Sequence, residues 1–393
     1  MKDRPILLLA IAQTLIWACL YYSFPALLLN WESTLGWGRA DLTAAIALAV
    51  FISAFVSPIA GRFIDAGKGP QMMTACAVFG GLFMILLSRV EFLWQFYLLW
   101  GLIGVCLGGG LYEPCFALIT RARGEQAKRS IIFVTLVAGF AGTISFPVAH
   151  SLAEIFGWRS ANLVFGLVSI FVIAPVMWMG AHEVERTGKG KHVSSIHLMD
   201  TSHSFLRSKV FWFLAIGFSL AAILHGVTIH HLLPILDERG IHDEVAVTAI
   251  AFIGPMQVTG RLAMMAAERH ISNHGIAISC FVLMGIAILV LFGAGTTPAM
   301  LVAFVILFGG SYGMVSIVRP VIARDLLGEA QFGAKSGALA LIYLAGSASA
   351  PYLGSLLWSK GGYDLVLSLL IILAACGLAL YLGANRFARI HSG

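Results

Sequence analysis

The chain has 393 residues, of which 59% are hydrophobic and only 11% are charged, and its mean hydropathy is +0.90. Because a soluble domain carries nearer ~25% charged residues, this composition excludes a soluble globular protein and indicates a polytopic membrane protein. The net charge of +6 needs no nucleic-acid partner, since basic residues facing anionic lipid headgroups account for it.

Apolar segments long enough to cross a hydrocarbon core of about 30 Å as helices recur along the chain. We expect twelve, at residues 5–29, 42–64, 72–87, 94–120, 131–155, 161–179, 210–236, 245–267, 276–292, 300–323, 337–358 and 365–382. The first is too long for a signal peptide and lacks a small-residue cleavage site. All six cysteines fall in these spans without a CxxC pair, which indicates apolar fillers rather than disulfides or metal ligands.

The basic residues predict the orientation. If both termini are cytoplasmic, 18 of the 25 Lys and Arg residues lie in cytoplasmic segments, and two, Arg261 and Arg319, lie inside the membrane. The positive-inside rule therefore favours cytoplasmic N and C termini. We expect a multi-pass protein of a cell membrane, taken to be a bacterial inner membrane.

The longest polar stretch lies near the middle of the chain, between the sixth and seventh spans. Its four histidines are irregularly spaced and have no acidic or Cys partner, so a solvated linker is favoured over a metal site: His182, His192, His197 and His203. The predicted organisation is an N-terminal six-helix bundle at 1–182, a cytoplasmic linker at 183–208 and a C-terminal six-helix bundle at 209–393.

The two halves resemble each other at closely similar separations in the chain. Tyr21-Tyr22-x-x-Pro25 in the first span parallels His230-His231-x-x-Pro234 in the seventh, and Glu113-Pro114 parallels Arg319-Pro320. Parallel six-helix repeats with a site near the midplane between them are one of the main plans of membrane transporters.

Glu113 and Arg319 are the most informative residues of this repeat. Each is a charged residue inside an otherwise apolar segment, where ionisation costs at least about 2.5–3.5 kcal/mol unless the group faces a cavity or a partner. Their opposite signs at matching positions indicate a polar site at the centre of a duplicated membrane protein.

The loop between the second and third spans carries a family resemblance. Gly61-Arg62-Phe63-Ile64-Asp65 followed by Gly67-Lys68-Gly69 resembles the cytoplasmic signature loop of the major facilitator superfamily. The resemblance implies an all-α membrane protein with twelve transmembrane helices in two pseudo-symmetric six-helix bundles, and it implies that Gly61, Arg62 and Asp65 form a cytoplasmic gate.

Further motifs are similar to the monocarboxylate and oxalate/formate porter branch. They are Leu35-Gly36-Trp37-Gly38-Arg39-Ala40, Gly157-Trp158-Arg159, Gly260-Arg261 and Phe332-Gly333-Ala334. Two departures from this branch change the expected substrate. Animal monocarboxylate porters have a lysine in the first span, where this chain has none. Oxalate exchangers have a lysine inside the eleventh span, where this chain has only Lys335 at the cytoplasmic entrance. A single carboxylate or another weak anion is therefore favoured over doubly charged oxalate.

The resemblance also implies that spans one, four, seven and ten line a central pathway, with Glu113 and Arg319 facing it from opposite halves. Arginine suits a carboxylate because its rigid fork donates two parallel hydrogen bonds. Glutamate suits a proton, since burial favours its neutral form and a nearby arginine its charged form. We expect a secondary active symporter of one proton and one small organic anion, working by alternating access. The competing interpretation is a permanent Glu113–Arg319 bridge without proton chemistry.

Weaker site candidates are polar residues at membrane depth, for which packing is a strong competing interpretation. Together with Arg319, Arg261 and Glu113 they form the predicted substrate site: Tyr21, Tyr22, His225, His230, His231 and Gln257. His150 near the outer end of the fifth span is a further, lesser candidate.

No GxxxxGK[ST] sequence and no Ser/His/Asp constellation is present, which argues against ATP-driven transport and against an enzyme. We expect a monomer that needs no cofactor, metal or nucleic acid. Two rival functions stay open. A proton-coupled drug or metabolite efflux pump would have a large aromatic pocket with little anion preference, whereas a non-transporting membrane sensor would bind ligand saturably without flux.

Overall fold

The computed structural model describes residues 3–124, 127–188, 203–267, 270–294, 297–328 and 332–392. Within these ranges the chain is almost entirely helical and forms no strand. It divides into two compact units, Met1–Ser195 and Ile196–Gly393. Residues 189–202, more than half of the predicted linker at 183–208, lie outside the described residues. The first residues of the predicted linker continue the sixth helix, which ends at Thr187.

The first unit contains six long apolar helices. They are α1 (Arg4–Leu35), α2 (Arg39–Asp65), α3 (Gly69–Leu87), α4 (Leu93–Arg123), α5 (Arg129–Phe156) and α6 (Trp158–Thr187). α3 and α6 approach closely at Gly81 and Gly166, where a Cβ on either residue would lie 2.6 Å from the carbonyl oxygen of the other. Small residues at such a crossing let the backbones meet, which is how helices associate in a solvent as apolar as themselves.

The second unit begins with α7 (Lys209–Glu238), α8 (Asp243–Ala267), α9 (Asn273–Phe292) and α10 (Pro298–Leu327). The last helical stretch, Phe332–Ser392, leaves helical geometry at Gly361 and Gly362. Gly362 has φ +64°, a left-handed conformation that glycine adopts without steric cost. The stretch therefore makes two membrane helices, α11 (332–360) and α12 (363–392), which gives this unit six helices as well.

Each of the twelve predicted spans lies within one of these helices, and most helices extend several residues further at one or both ends. The extension has a physical reason: hydropathy marks only the part of a helix inside the hydrocarbon core, whereas backbone hydrogen bonding continues to the cap. The predicted fold class, an all-α membrane protein with six membrane helices in each half, is confirmed.

Candidate functional site

The first irregular element of unit one is a π-helical turn in α1, Trp17–Tyr22. Such turns insert a residue into the α-helical hydrogen-bond ladder and occur often at functional sites. Ser145 of α5 donates its hydroxyl to the Ala18 carbonyl at 2.7 Å, so a side chain supplies a hydrogen bond inside the irregular turn. The turn presents the predicted residues Tyr21 and Tyr22, both half-buried.

A second irregularity interrupts α4 at Leu111, whose backbone leaves helical geometry with φ −84° and ψ −153°. Helix resumes at Tyr112. Pro114 has no amide hydrogen, so the Gly110 carbonyl lacks the donor that a regular helix would provide four residues on. Gln13 of α1 replaces the missing donor: its Nε2 donates to the Gly110 carbonyl at 2.8 Å. Gln13 is fully buried.

Glu113 lies in the first turn of the second half of α4, and its side chain is exposed. A carboxylate there is favoured by the partial positive charge of the helix N-terminus. The break in α4 thus places an accessible acidic group within a membrane-spanning segment.

Aromatic side chains of α1, α4 and α5 pack together near the break in α4; we call Trp17, Tyr21, Tyr22, Tyr112 and Phe146 the α1 aromatic cluster. Ring centroids are 4.9 Å apart for Trp17 and Tyr21, and 4.8 Å apart for Trp17 and Tyr112. Tyr22 lies 5.3 Å from Tyr21 and 6.3 Å from Phe146. The cluster brings the predicted Tyr21 and Tyr22 beside Tyr112, the residue that precedes Glu113.

In unit two, Arg319 of α10 is half-buried and its guanidinium carbon lies 4.0 Å from the ring centroid of Tyr343 in α11. The Tyr343 hydroxyl is 3.2 Å from that of Tyr312, whose ring stacks on His225 at 3.2 Å between centroids and 7° between planes. This row of side chains joins α7, α10 and α11. Among the described residues of unit two, no carboxylate lies within 4.0 Å of Arg319.

Arg261 has a different environment, since only 7% of it is exposed and its Nε donates to the Gly313 carbonyl of α10 at 3.2 Å. α8 and α10 approach closely here, because a Cβ on Gly260 would collide with the Gly310 carbonyl and one on Gly313 with that of Gln257. Gln257 is itself buried. These contacts make Arg261 a tie between α8 and α10.

The α7 histidines separate into distinct environments. His231 donates from Nε2 to the Pro351 carbonyl at 2.8 Å and accepts from the Tyr363 hydroxyl at 2.9 Å, so it links α7 to α11 and α12. His230 donates from Nδ1 to the Gly226 carbonyl at 2.8 Å. Nε2 of His225 is buried without a hydrogen-bond partner among the described residues. His225, which contacts the Tyr312–Tyr343–Arg319 row, is therefore the histidine that the structure associates with Arg319.

Four further residues predicted from the sequence lie elsewhere. His150 pairs with Glu154 at 3.5 Å within α5. Gly61 and Arg62 lie in the last turns of α2, where Arg62 is exposed, and the side chain of Asp65 lies outside the described part of the chain. Among the described residues, no group of three or more His, Cys, Asp or Glu side chains forms a potential metal site.

Sequence reasoning missed the contacts of Arg121 near the end of α2, the ring contact of Tyr343 with Arg319, and the place of Tyr112 in the α1 aromatic cluster. Arg121 donates to the Ile64 carbonyl and pairs with Glu185 of α6 at 2.8 Å. Tyr343 and Tyr112 sit in apolar segments where aromatic residues are common, and their role depends on helix packing that no local pattern encodes. Pro114 was the one local signal of the α4 break, since it removes a helix donor.

The described residues form twelve membrane helices in two six-helix units, and each unit has a charged side chain at membrane depth. This arrangement is one of the main plans of membrane transporters. A family model described as Major Facilitator Superfamily matches residues 7–274. The chain belongs to the major facilitator superfamily. It is accordingly a multi-pass membrane transporter of a small molecule and not an enzyme.

Three curated relatives support this assignment. The chain is 22% identical to the MFS transporter asaE of Aspergillus flavus, over 80% of this chain and 71% of the relative. It is 22% identical to the MFS-type transporter opdF of Penicillium oxalicum, over 83% and 76%. It is 26% identical to monocarboxylate transporter 3 of Rattus norvegicus, over 78% of this chain and 64% of the relative.

Solved structures show the same fold. A bacterial homologue of the human lysosomal transporter Spinster, in an inward-facing and occupied conformation, has a TM-score of 0.75 at 14% identity, covering 97% of this chain and 96% of that one. The nucleoside transporter NupG has a TM-score of 0.73 at 13% identity, covering 98% and 99%. At these identities the likeness concerns the fold alone.

Proposed function

We propose that this protein is a secondary active transporter that moves one small monocarboxylate together with one proton by alternating access. The observation that carries the proposal is Arg319, a cation in membrane-spanning α10 that is half-buried and has no carboxylate partner among the described residues of its unit. Because a cation at this depth is costly without a partner, an anionic ligand is the group that such a site favours.

The Tyr343 ring supports a carboxylate as that ligand. A ring 4.0 Å from the guanidinium carbon lies within cation–π distance and holds the cation in place. A positioned guanidinium presents N–H groups in a fixed fork, and a carboxylate is a small anion whose two oxygens match that fork. The likeness to monocarboxylate transporter 3 also supports this class of substrate.

Glu113 is the residue that we assign to the proton. It is exposed, lies at membrane depth and follows a helix break that keeps it at the start of a half-helix. We propose that this carboxyl group takes up and releases one proton as the charge of its surroundings changes during the transport cycle. Binding of an anion at Arg319 is the change that we propose to drive this exchange.

The remaining sequence candidates take smaller roles. Arg261, Gln257, His230 and His231 are buried, so we assign them to holding unit two together, with Arg261 contributing positive charge near α10. We also propose that both termini are cytoplasmic, as the distribution of basic residues favours. The named curated relatives are eukaryotic, so a bacterial inner membrane stays a prediction.

A second candidate function is proton-coupled efflux of an aromatic drug or metabolite. The α1 aromatic cluster favours it, since four of its five members are Trp or Tyr, whose broad faces bind planar apolar molecules without requiring a negative charge. Efflux predicts binding of neutral and cationic aromatic compounds by this cluster.

One screen separates the two functions. Purified protein is heated with small monocarboxylates, dicarboxylates, amino acids and hydrophobic drugs, because a ligand that binds only the folded state raises the melting temperature. Compounds that do so are then tested for uptake into proteoliposomes with an inward proton gradient. Monocarboxylate flux that depends on this gradient is the expected result. Stabilisation by neutral aromatic drugs alone would contradict the proposal and favour efflux.

A further inference from the structure

An apolar groove of about 480 Å³ lies on the outside of unit one between α3 and α4, away from the α1 aromatic cluster. Most of its lining side chains are apolar, among them Met72, Phe79, Phe83 and Val105. Phe79 is 53% exposed and Val105 is 44% exposed. Exposed aromatic and aliphatic side chains at membrane depth are typical of a surface that faces lipid rather than a water-filled pathway.

The groove has one charged residue, and it lies at one end. Lys68, which precedes the first turn of α3, lines the groove with Gln71, while Phe83 lies on the same helix at the other end. Lys68 is exposed and forms no ion pair with a described side chain. Its ammonium group is thus available to a negatively charged ligand at the membrane surface.

The length of the groove suits a hydrocarbon chain. With a rise of about 1.5 Å per residue, the fifteen steps along the chain from Lys68 to Phe83 span about 22 Å. One leaflet of a bilayer contributes about 15 Å of hydrocarbon thickness, half of about 30 Å. A groove that starts at a surface lysine and runs this deep accommodates an acyl chain along most of its length.

We propose that this groove binds an anionic glycerophospholipid, with its phosphate on Lys68 and one acyl chain against Met72, Phe79, Phe83 and Val105. Basic groups at the membrane surface attract anionic headgroups with about 1 kcal/mol each, and the apolar wall adds burial of the chain. The groove lies entirely in unit one and involves neither Glu113 nor Arg319, so the proposal is independent of the transported substrate.

Cys76 and Cys106 both line the groove, Cys76 from α3 and Cys106 from α4. Gly109 lets Cys76 approach, since a Cβ on Gly109 would lie 2.5 Å from the Cys76 sulfur. An acyl chain in the groove therefore rests directly on the contact between the two helices. Lipid binding should accordingly stabilise this helix pair.

The test is lipid competition read by native mass spectrometry. Delipidated protein is mixed with equal amounts of phosphatidylglycerol and phosphatidylcholine that carry the same acyl chains, and the retained lipids are counted. We expect the wild-type protein to retain phosphatidylglycerol preferentially, and Lys68→Ala to lower this preference about fivefold. Arg186→Ala is the matched control, because Arg186 is an exposed basic residue at the end of α6 that does not line the groove.

A second variant tests the acyl-chain half of the site. Ala75 lines the groove on α3 and is only half-buried, so Ala75→Phe fills the groove from its exposed wall. We expect it to lower retention of both lipids and to leave the protein folded, as judged by size-exclusion chromatography and circular dichroism. Equal phosphatidylglycerol preference in wild type and Lys68→Ala, or unchanged lipid retention in folded Ala75→Phe, would overturn the proposal.

Discussion

At the scale of single residues, charge alone identifies Glu113 and Arg319, but the structure shows what surrounds each. Arg319 stacks on Tyr343, which reaches Tyr312 through its hydroxyl, and Tyr312 stacks on His225. A guanidinium fixed on one face by a ring keeps the N–H groups of its edge free to bind a planar anion. The position of the cation thus depends on aromatic neighbours from other helices.

Substitution of Arg319 should act on anion binding. We expect Arg319→Ala to lower affinity for a transported carboxylate by at least about tenfold, because charge-assisted hydrogen bonds contribute roughly 1.5–3 kcal/mol. Arg319→Lys should retain part of the affinity, since it keeps the charge and loses the fork. Thermal-shift titration of the purified variants measures both. Wild-type affinity in a folded Ala variant would remove Arg319 from the substrate site.

Substitution of Tyr343 separates positioning from direct binding. Tyr343→Ala should weaken carboxylate binding about two- to thirtyfold, because the cation–π contact contributes about 0.5–2 kcal/mol. Tyr343→Phe keeps the ring and loses only the hydroxyl contact with Tyr312, so its affinity should stay near that of the wild type. The same titration measures both variants. Equal losses in Ala and Phe would show that the hydroxyl, not the ring, matters.

At the scale of helices, the sequence predicted the number of spans but not their irregularities. Hydropathy depends on composition, so each predicted span lies within an observed helix. The π-helical turn at Trp17–Tyr22 and the break at Leu111 depend instead on Ser145 and Gln13, which come from other helices. A local pattern cannot specify a partner that is distant in sequence.

The Gln13 contact can be tested for its effect on stability. Gln13→Met keeps the side-chain length but removes the donor to the Gly110 carbonyl, which should lower the free energy of unfolding by about 1–3 kcal/mol. Thr14→Val is the matched control, because the Thr14 hydroxyl bonds to the Ala10 carbonyl within the same helix. Melting temperatures in one detergent compare the variants. A Gln13→Met protein no less stable than Thr14→Val would contradict this role.

At the scale of the whole molecule, repeated sequence patterns and the signature loop sufficed to predict the fold and family. The substrate role of the candidate residues stays a prediction, and the structure adds the surroundings that the sequence does not specify. Arg261 is predicted to contact substrate as Arg319 does; in the structure it is buried with its Nε on a backbone carbonyl, because α8 and α10 approach closely. Two arginines at similar depth look alike in sequence because helix packing, not composition, determines which one is accessible.

Proton coupling is a property of the complete transport cycle, and Glu113→Gln tests it. The amide resembles a protonated glutamate, so we expect the variant to fold, to bind substrate and to exchange it across proteoliposome membranes. Uptake driven by a pH gradient should be lost, because net movement of a proton needs an ionisable group. Comparing gradient-driven uptake with exchange in one preparation provides the measurement.

Two other outcomes have distinct meanings. If Glu113 only neutralises a buried cation, the substitution leaves that cation unpaired at a cost of several kcal/mol, and stability and exchange should fall together. If gradient-driven uptake persists in Glu113→Gln, the coupling assignment is wrong. His225, buried beside Tyr312, would then be the next residue to substitute.

The break in α4 has a mechanical consequence. Bending a continuous helix stretches several backbone hydrogen bonds at once, whereas at Gly110 the missing Pro114 donor is replaced by the flexible side chain of Gln13. The second half of α4, Tyr112–Arg123, is therefore joined to the first half by a hinge. Rotation of the backbone at Leu111 would change the direction of the Glu113 carboxylate. The first half of α4 would meanwhile stay packed against α2.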